Sequence, residues 1–396
     1  MTIASDHIDF YLVGIGNSPK PKVSIDIQNL IDKHNIFSGG KRHYDLVKDL
    51  LPKDHNWIEI SGSMTELIDK YQSFEESILI FASGDPLFYG FGNTLKRLLP
   101  NARLKTFPYF NSIQLLCHRT QTNYNDLKVT SVHGRDWSAL YQALIKDEPL
   151  IGVLTDQHKN PATIAKKMIQ YGFDHYEMLV GENLEGLTEK IVTGSLQDLS
   201  KLDFSALNCV LLKRKQPKAR SFGLNDHDFI PLDGRPNMIT KMAVRLNTLQ
   251  ACELSEAKVF WDIGSCTGSV AIEAKRHYPH LQITAIEKRK VCGGIIQSNM
   301  ERFSTPGIDI VIDDFFNLDM RQLTIPDVVF IGGHGNRLAE MIRLIYNLNN
   351  ETKFVTNAVL SSTSQVFKDT LSSINRSIRS SKLKIDDHNE IEILSA

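Results

Sequence analysis

The clearest chemistry in the chain lies in VFWDIGSCTGSVAIEA, Val259 to Ala274, where a strand pattern, a turn of small residues and a helix pattern follow in order. Gly264 and Gly268 let the main chain turn sharply and let a ligand approach it. The amides that open the following helix then face that ligand. Glu287 closes the next strand pattern, LQITAIE, where a carboxylate accepts hydrogen bonds from both ribose hydroxyls of an adenosine. Asp262 stands immediately before the turn, where it repels a pyrophosphate and attracts an ammonium. The turn reads G-S-C-T-G and lacks the spacing G-x-G-x-x-G that admits a dinucleotide. Together these features favour S-adenosylmethionine, which carries an ammonium and a sulfonium. Asp314, ending IDIVIDD, is placed to accept from the adenine amine. Cys266 occupies the middle of the turn, where its side chain calls for a negative φ and packs rather than reacts.

The first half offers softer signals. SGDPLFYGFG, Ser83 to Gly92, follows a buried-strand pattern, and its Gly84-Asp85-Pro86 corner exposes backbone groups where open α/β sheets bind ligands. An Asp-Pro corner is equally a plain turn. SVHGR places His133 and Arg135 beside a glycine, and SGGKRH places Lys41, Arg42 and His43 beside two. Each group can grip a carboxylate, and each reads equally well as a surface loop.

These residues need strands and helices to hold them. FYLVGIG, SILIFASGDP, LIGVLT and NCVLLKR read as strands, and NSIQLLCHRT and PATIAKKMIQYG carry apolar residues at helical spacing. The alternation predicts an α/β domain with a largely parallel sheet. KRKQPKARSFGLNDHDF, Lys213 to Phe229, is polar and basic and reads as an exposed hinge. The α/β rhythm then restarts with the helix ITKMAVRLNTLQAC and the strands VFWDIG, LQITAIE, IDIVIDD, PDVVFIGG and KFVTNAV, a second open, doubly wound sheet. The expected organisation is residues 1–215 as one domain, 216–228 as linker and 229–396 as another.

Bulk properties bound the partners. With 396 residues, two or three domains are expected. Lys plus Arg (45) nearly balances Asp plus Glu (46), so the basic excess of a general nucleic-acid binder is missing. Five cysteines without a CxxC pair argue against a disulfide framework or a zinc site, and no metal is expected. The opening MTIASDHIDFYLVGIG lacks the pattern of a signal peptide, and no apolar run reaches membrane-helix length. A cytoplasmic protein is expected.

The chain resembles the precorrin-6Y C5,15-methyltransferase (decarboxylating) family. The resemblance rests on GIG, FSGGKRH, SGDPLFYG, NSIQLL, TSVHGR, VLTD and VGENLEG in the first half. In the second it rests on PNMITKMAVR, WDIGSCTGSVAIEA, TAIEKR and VVFIGGHG. It implies an N-terminal tetrapyrrole-methylase (class III methyltransferase) domain methylating carbon 5. A C-terminal Rossmann-like class I methyltransferase domain then methylates carbon 15 and decarboxylates an acetate side chain. It implies S-adenosylmethionine as cofactor, a tetrapyrrole with many carboxylates as substrate, and a homo-oligomer. Donor contacts then fall on Gly84, Asp85, Ser112, Ile113 and Thr155 in the first half. In the second they fall on Thr240, Asp262, Gly264, Cys266, Gly268, Glu287 and Asp314. Substrate carboxylates fall to Arg42, His133, Arg135, Lys241 and Arg245. His334, in IGGHG, and Arg135 are the catalytic candidates, with a neutral loop histidine as the plain alternative for His334. A nucleotide-dependent oxidoreductase, a methyltransferase for another macrocycle and a non-catalytic tetrapyrrole binder are the competing readings.

Overall fold

The computed structural model describes residues 9–385 and 390–396; residues 1–8, part of the stretch read for a signal peptide, lie outside them. Continuous apolar runs become central strands, buried on both faces as parallel strands must be. The first sheet is built from β1 (Phe10–Ile15), β2 (Ile36–Gly39), β3 (Asn56–Glu59), β4 (Ile78–Ser83) and β5 (Leu104–Phe107), in the order β3-β2-β4-β1-β5. All its pairings are parallel. The carboxyl ends of β1 and β4 therefore lie side by side, with Ile15 opposite Ser83.

The second sheet holds β6 (Leu127–Ser131), β7 (Leu150–Leu154), β8 (Tyr176–Glu182), β9 (Lys190–Gly194) and β10 (Asn208–Arg214), ordered β6-β7-β10-β8-β9. It is mixed: β6 runs parallel to β7, whereas β7 with β10 and β8 with β9 are antiparallel. The expected single, largely parallel sheet is thus two five-stranded sheets, of which only the first is wholly parallel.

The third sheet comprises β11 (Val259–Ile263), β12 (Gln282–Glu287), β13 (Ile308–Ile312), β14 (Val328–Ile331), β15 (Lys353–Ala358), β16 (Arg379–Leu383) and β17 (Ile391–Ser395). Its order is β13-β12-β11-β14-β15-β17-β16, with the first five strands parallel and the last two antiparallel. Strand order reverses between β11 and β14, which is where doubly wound sheets open a ligand crevice. Its core gathers Trp261, Ile263, Val329, Ile331, Phe354, Phe367 and Leu394 among others.

By packing, the chain falls into two compact units. One contains the chain through Arg135, Pro149–Ala165 and Glu177–Lys213, and with them the first two sheets; the other contains Asp136–Glu148, Lys166–Tyr176 and Arg214–Ala396. Within the second unit, the stretch expected as a solvated hinge is pinned from Arg220 onward. Arg220 Nη2 donates to the Arg276 carbonyl at 2.8 Å and the Leu224 amide to Glu273 Oε2 at 3.0 Å, while Leu224 and Phe229 are buried. Two apolar side chains in a polar context were enough to draw it onto the fold. No helix among the described residues is long and apolar enough to cross a membrane.

Candidate functional site

In the first unit, the ends of β1 and β4 support a cavity of about 540 Å³, the size of a small-molecule site. Gly84 turns the chain out of β4 at φ 60°, its amide donating to the Ile15 carbonyl at 2.9 Å. A side chain on Gly84 would meet the Asn111 backbone at 2.9 Å, so only glycine lets the two loops close over the cavity floor. Asn111 in turn caps the helix Ser112–Arg119: its Oδ1 accepts from the Gln114 amide at 2.9 Å, and Gln114 Oε1 from the Asn111 amide at 3.0 Å.

Gly84, Ser112, Thr155, Arg42, His133 and Arg135 all line this cavity, brought together from loops of both five-stranded sheets. His133 Nδ1 donates to the Thr155 carbonyl at 2.8 Å, and Arg135 lies over the Tyr89 ring at 5.1 Å. Thr155 is turned to Asn208, its hydroxyl within 2.7 Å of that carbonyl. Two residues named beside them do other work. Asp85 accepts from the Leu87 amide at 2.9 Å and holds the corner, and Ile113 is fully buried in the core, so only its backbone is available to a ligand. No aspartate or glutamate is among the described lining residues. Two arginines and two histidines without a carboxylate make a wall for an anion.

Sequence reasoning passed over Ser83 and Asn17 and met His43 only as one of three consecutive basic or titratable residues; Ser83, Asn17 and His43 also line the cavity. His43 Nε2 lies 2.9 Å from Ser83 Oγ, and Arg42 donates from Nη2 to Ser83 Oγ at 2.6 Å and from Nη1 to Asn17 Oδ1 at 2.8 Å. The signal was present in SGGKRH, since a histidine three residues after a helix cap can fold back on it.

In the second unit, the turn after β11 carries the other cluster. Gly264 has φ 77°, and an added side chain would strike the Gly333 backbone at 2.5 Å; the turns after β11 and β14 lie against each other at the switch point. Asp262 is buried, and its Oδ2 accepts from Ser265 Oγ at 2.7 Å and the Ala271 amide at 3.1 Å, while Oδ1 has no partner. Burial, reinforced by Glu287, pushes its pKa up to about 6. A buried carboxylate oxygen without a donor is costly and fits the ammonium of a ligand. Glu287 accepts from the Cys266 amide and the Arg289 amide, each at 3.0 Å, and so sits beside the same turn. These residues fit S-adenosylmethionine: Asp262 toward its ammonium, Glu287 toward its ribose, and the small turn between Gly264 and Gly268 against its chain.

Because the carboxyl of Asp262 is held above its ordinary range, ionisation is completed only above about pH 6. Its contribution to stability falls as pH rises from 3.8 toward about 6, since the fold favours the neutral form. A cationic ligand needs the ionised form. S-adenosylhomocysteine affinity at this site is therefore expected to fall about tenfold per pH unit below that point, and calorimetric titration between pH 5 and 8 reads it; a flat profile refutes the assignment.

Other expectations are revised. Cys266 adopts φ 51°, not the negative φ its side chain was expected to need. The turn tolerates it because Sγ–H reaches the Met238 carbonyl at 3.4 Å and the thiol packs with Leu232 and Cys292; burial pushes it up to about 12. Arg245, expected on the substrate, is fully buried, with donors directed to Glu273, Asp226 and the Thr240 and Leu224 carbonyls. It is a brace that holds Thr240 and Lys241 at the head of the helix Met242–Cys252. Asp314 Oδ1 accepts from the Phe316 amide at 3.0 Å, leaving Oδ2 for a ligand. His334 Nδ1 accepts from the Asn336 amide at 3.2 Å, and burial lowers its pKa, so it stands as a neutral imidazole with Nε2–H as donor.

Residues 9–200 match the sequence model of the tetrapyrrole (corrin/porphyrin) methylases, and residues 233–390 that of the precorrin methyltransferase domain. A Sinorhizobium protein named precorrin-6Y C(5,15)-methyltransferase [decarboxylating] is 29% identical over 364 residues, covering 90% of this chain and 86% of its own length. The cobalt-precorrin-7 C(5)-methyltransferase of Salmonella typhimurium is 28% identical over 46% of this chain and 87% of that protein. The cobalt-precorrin-6B C(15)-methyltransferase (decarboxylating) of the same organism is 37% identical over 29% of this chain and 58% of that protein.

Proposed function

From membership of the precorrin-6Y C5,15-methyltransferase (decarboxylating) family, to which this chain belongs, we propose that it methylates precorrin-6B, or its cobalt form, at carbons 5 and 15 and decarboxylates the ring C acetate, in cobalamin biosynthesis. The observation that carries this reading is the cavity lined by Arg42, His43, His133 and Arg135 with no described carboxylate. Such a wall suits a macrocycle bearing many carboxylates. Methylation of carbon 5 belongs to the unit holding that cavity, and methylation of carbon 15 with decarboxylation to the unit holding the Asp262 turn.

S-adenosylmethionine supplies an activated methyl group whose sulfonium leaves as a neutral thioether. What this chain's residues contribute is alignment and exclusion of water. Asp262 and Glu287 hold the donor's cationic and hydroxyl ends. Arg42 and Arg135 neutralise substrate carboxylates and fix the ring's register. In decarboxylation, the carbon–carbon bond to the acetate carboxyl breaks, carbon dioxide leaves, and the electron pair enters the conjugated ring. A proton from solvent then completes the new methyl group, so no strong base is needed. His334, as a neutral Nε2–H donor, is suited to hold the carboxylate and not to deliver a proton by itself.

The enzyme is read as cytoplasmic and homo-oligomeric, with neither nucleic acid nor membrane as partner. The near-equal count of acidic and basic residues speaks against general nucleic-acid binding, and five free thiols fit a reducing compartment. The experiment that tests the function is mass spectrometry of the tetrapyrrole after incubation with precorrin-6B and S-adenosylmethionine. Two added methyl groups with loss of one carbon dioxide are expected. No mass change, with donor binding intact, rejects this substrate.

A further inference from the structure

Ser83 is an exposed hydroxyl at the end of β4, on the cavity wall, and two side chains converge on its oxygen. Arg42 Nη2 donates to it at 2.6 Å. His43 Nε2 lies at 2.9 Å, and the tautomer is fixed by the other ring nitrogen. His43 Nδ1 accepts from the Gly40 amide at 3.2 Å, so the ring proton resides on Nε2 and points at Ser83. An imidazolium would place a proton against the Gly40 N–H. Burial and the Arg42 charge accordingly lower the His43 pKa to about 4.

A hydroxyl has two acceptor positions and one hydrogen. With both acceptor positions occupied, the Ser83 hydrogen must point elsewhere, and it donates to no group among the described residues. Arg42 adds the second half of the argument. It is partly buried, which lowers its pKa through desolvation. Its bonds go to the neutral oxygens of Ser83 and Asn17, and it forms no ion pair among the described residues. A partly desolvated guanidinium without a carboxylate, beside a hydroxyl with a directed hydrogen, is complementary to an incoming anion.

We propose that Ser83 and Arg42 together form a carboxylate-recognition site in the cavity, and that His43 is a positioning residue that turns the Ser83 hydroxyl outward as a donor. The ligand is a carboxylate: an acidic side chain of the tetrapyrrole, in line with the role given to Arg42 above, with the methionine end of the methyl donor as the other outcome of the test. The proposal deepens the reading of this cavity as a tetrapyrrole-methylating site and rests on it.

The two sources separate by equilibrium titration of the full chain with two probes, uroporphyrin III as an octacarboxylate macrocycle and S-adenosylhomocysteine as donor product. Ser83→Ala is expected to weaken one of them by about tenfold, the scale of one hydrogen bond to a charged group. Loss confined to uroporphyrin III assigns the substrate carboxylate, and loss confined to S-adenosylhomocysteine the donor's. His43→Gln can still present an N–H near the Nε2 position and is expected to retain most of the affinity. His43→Asn keeps an acceptor for the Gly40 amide but lacks reach to Ser83, and is expected to fall as far as Ser83→Ala with an unchanged melting temperature. The proposal is overturned if Ser83→Ala binds both probes as the unmodified protein does. It is equally overturned if His43→Gln loses as much as His43→Asn, which reduces His43 to packing. Turnover of precorrin-6B by the unmodified protein is scored separately, so failure of the assigned substrate is not mistaken for failure of this site.

Discussion

Asp262→Asn removes the methylation of carbon 15 and the loss of carbon dioxide together. The asparagine Oδ1 can still accept from Ser265 Oγ and the Ala271 amide, as Asp262 Oδ2 does, so the turn keeps its shape. What changes is the oxygen that has no partner in the protein. An amide NH₂ there presents a donor where a ligand ammonium needs an acceptor. Losing one partner of a buried charge pair costs about 3–5 kcal/mol, which is roughly a 100- to 4000-fold loss of donor affinity at this site. The folded protein is not weakened, because a buried charge incompletely satisfied by its surroundings has been removed. Calorimetry with S-adenosylhomocysteine then shows one binding event lost, and mass spectrometry shows the acetate carboxyl retained. Two methyl additions with loss of carbon dioxide by the variant would mean that Asp262 is only a turn residue.

How much of this was legible beforehand depended on distance along the chain. The Asp262 turn could be read because its parts are contiguous and the next carboxylate closes the neighbouring strand. The five parallel strands from Val259 to Ala358 could be read because they are continuous apolar runs separated by helix-sized gaps. The cavity in the first unit was legible only in fragments. Its corner, SVHGR and SGGKRH each looked like an ordinary loop. The corner and SGGKRH meet because β2 pairs with β4 in parallel, and a parallel pairing joins residues far apart in sequence: His43 and Ser83 are 40 residues apart; SVHGR comes from the end of β6 in the second sheet. Edge strands were harder still. β9 (KIVTG) and β16 (RSSKL) are largely exposed, and polar residues on an edge guard against unwanted pairing while erasing the apolar signal. The sign of φ at Cys266 was beyond sequence, since it depends on the space left by Leu232, Met238 and Cys292.

Arg245 gives the opposite lesson, and the largest expected effect on stability. An arginine near a helix start is ordinarily exposed, and the pattern PNMITKMAVR invites a ligand-binding role. Yet Arg245 is fully buried, with Nε 3.0 Å from Glu273 Oε2 and Nη1 3.2 Å from Asp226 Oδ1. Nη1 also donates to the Thr240 carbonyl at 2.6 Å, Nη2 donates to the Leu224 carbonyl, and the guanidinium lies over the Phe229 ring at 5.0 Å. Removing it by Arg245→Met keeps the stem's volume but strands the Glu273 carboxylate, which is buried and held below the ordinary glutamate range with Arg245 among the causes, and leaves two carbonyls without donors. Breaking one side of such a pair costs about 3–5 kcal/mol, which for a unit of this size lowers the melting temperature by roughly 6–20 °C at 2–4 °C per kcal/mol. Arg245→Met combined with Glu273→Leu removes both charges and recovers part of that loss, short of the share owed to the Thr240 and Leu224 carbonyls and the Leu224 amide. Thermal denaturation of the single and double variants separates the two cases. A single variant that melts normally while losing only tetrapyrrole affinity would return Arg245 to the substrate. The expected result is the reverse: a lower melting temperature, with affinity lost only as far as Thr240 and Lys241 lose their anchorage.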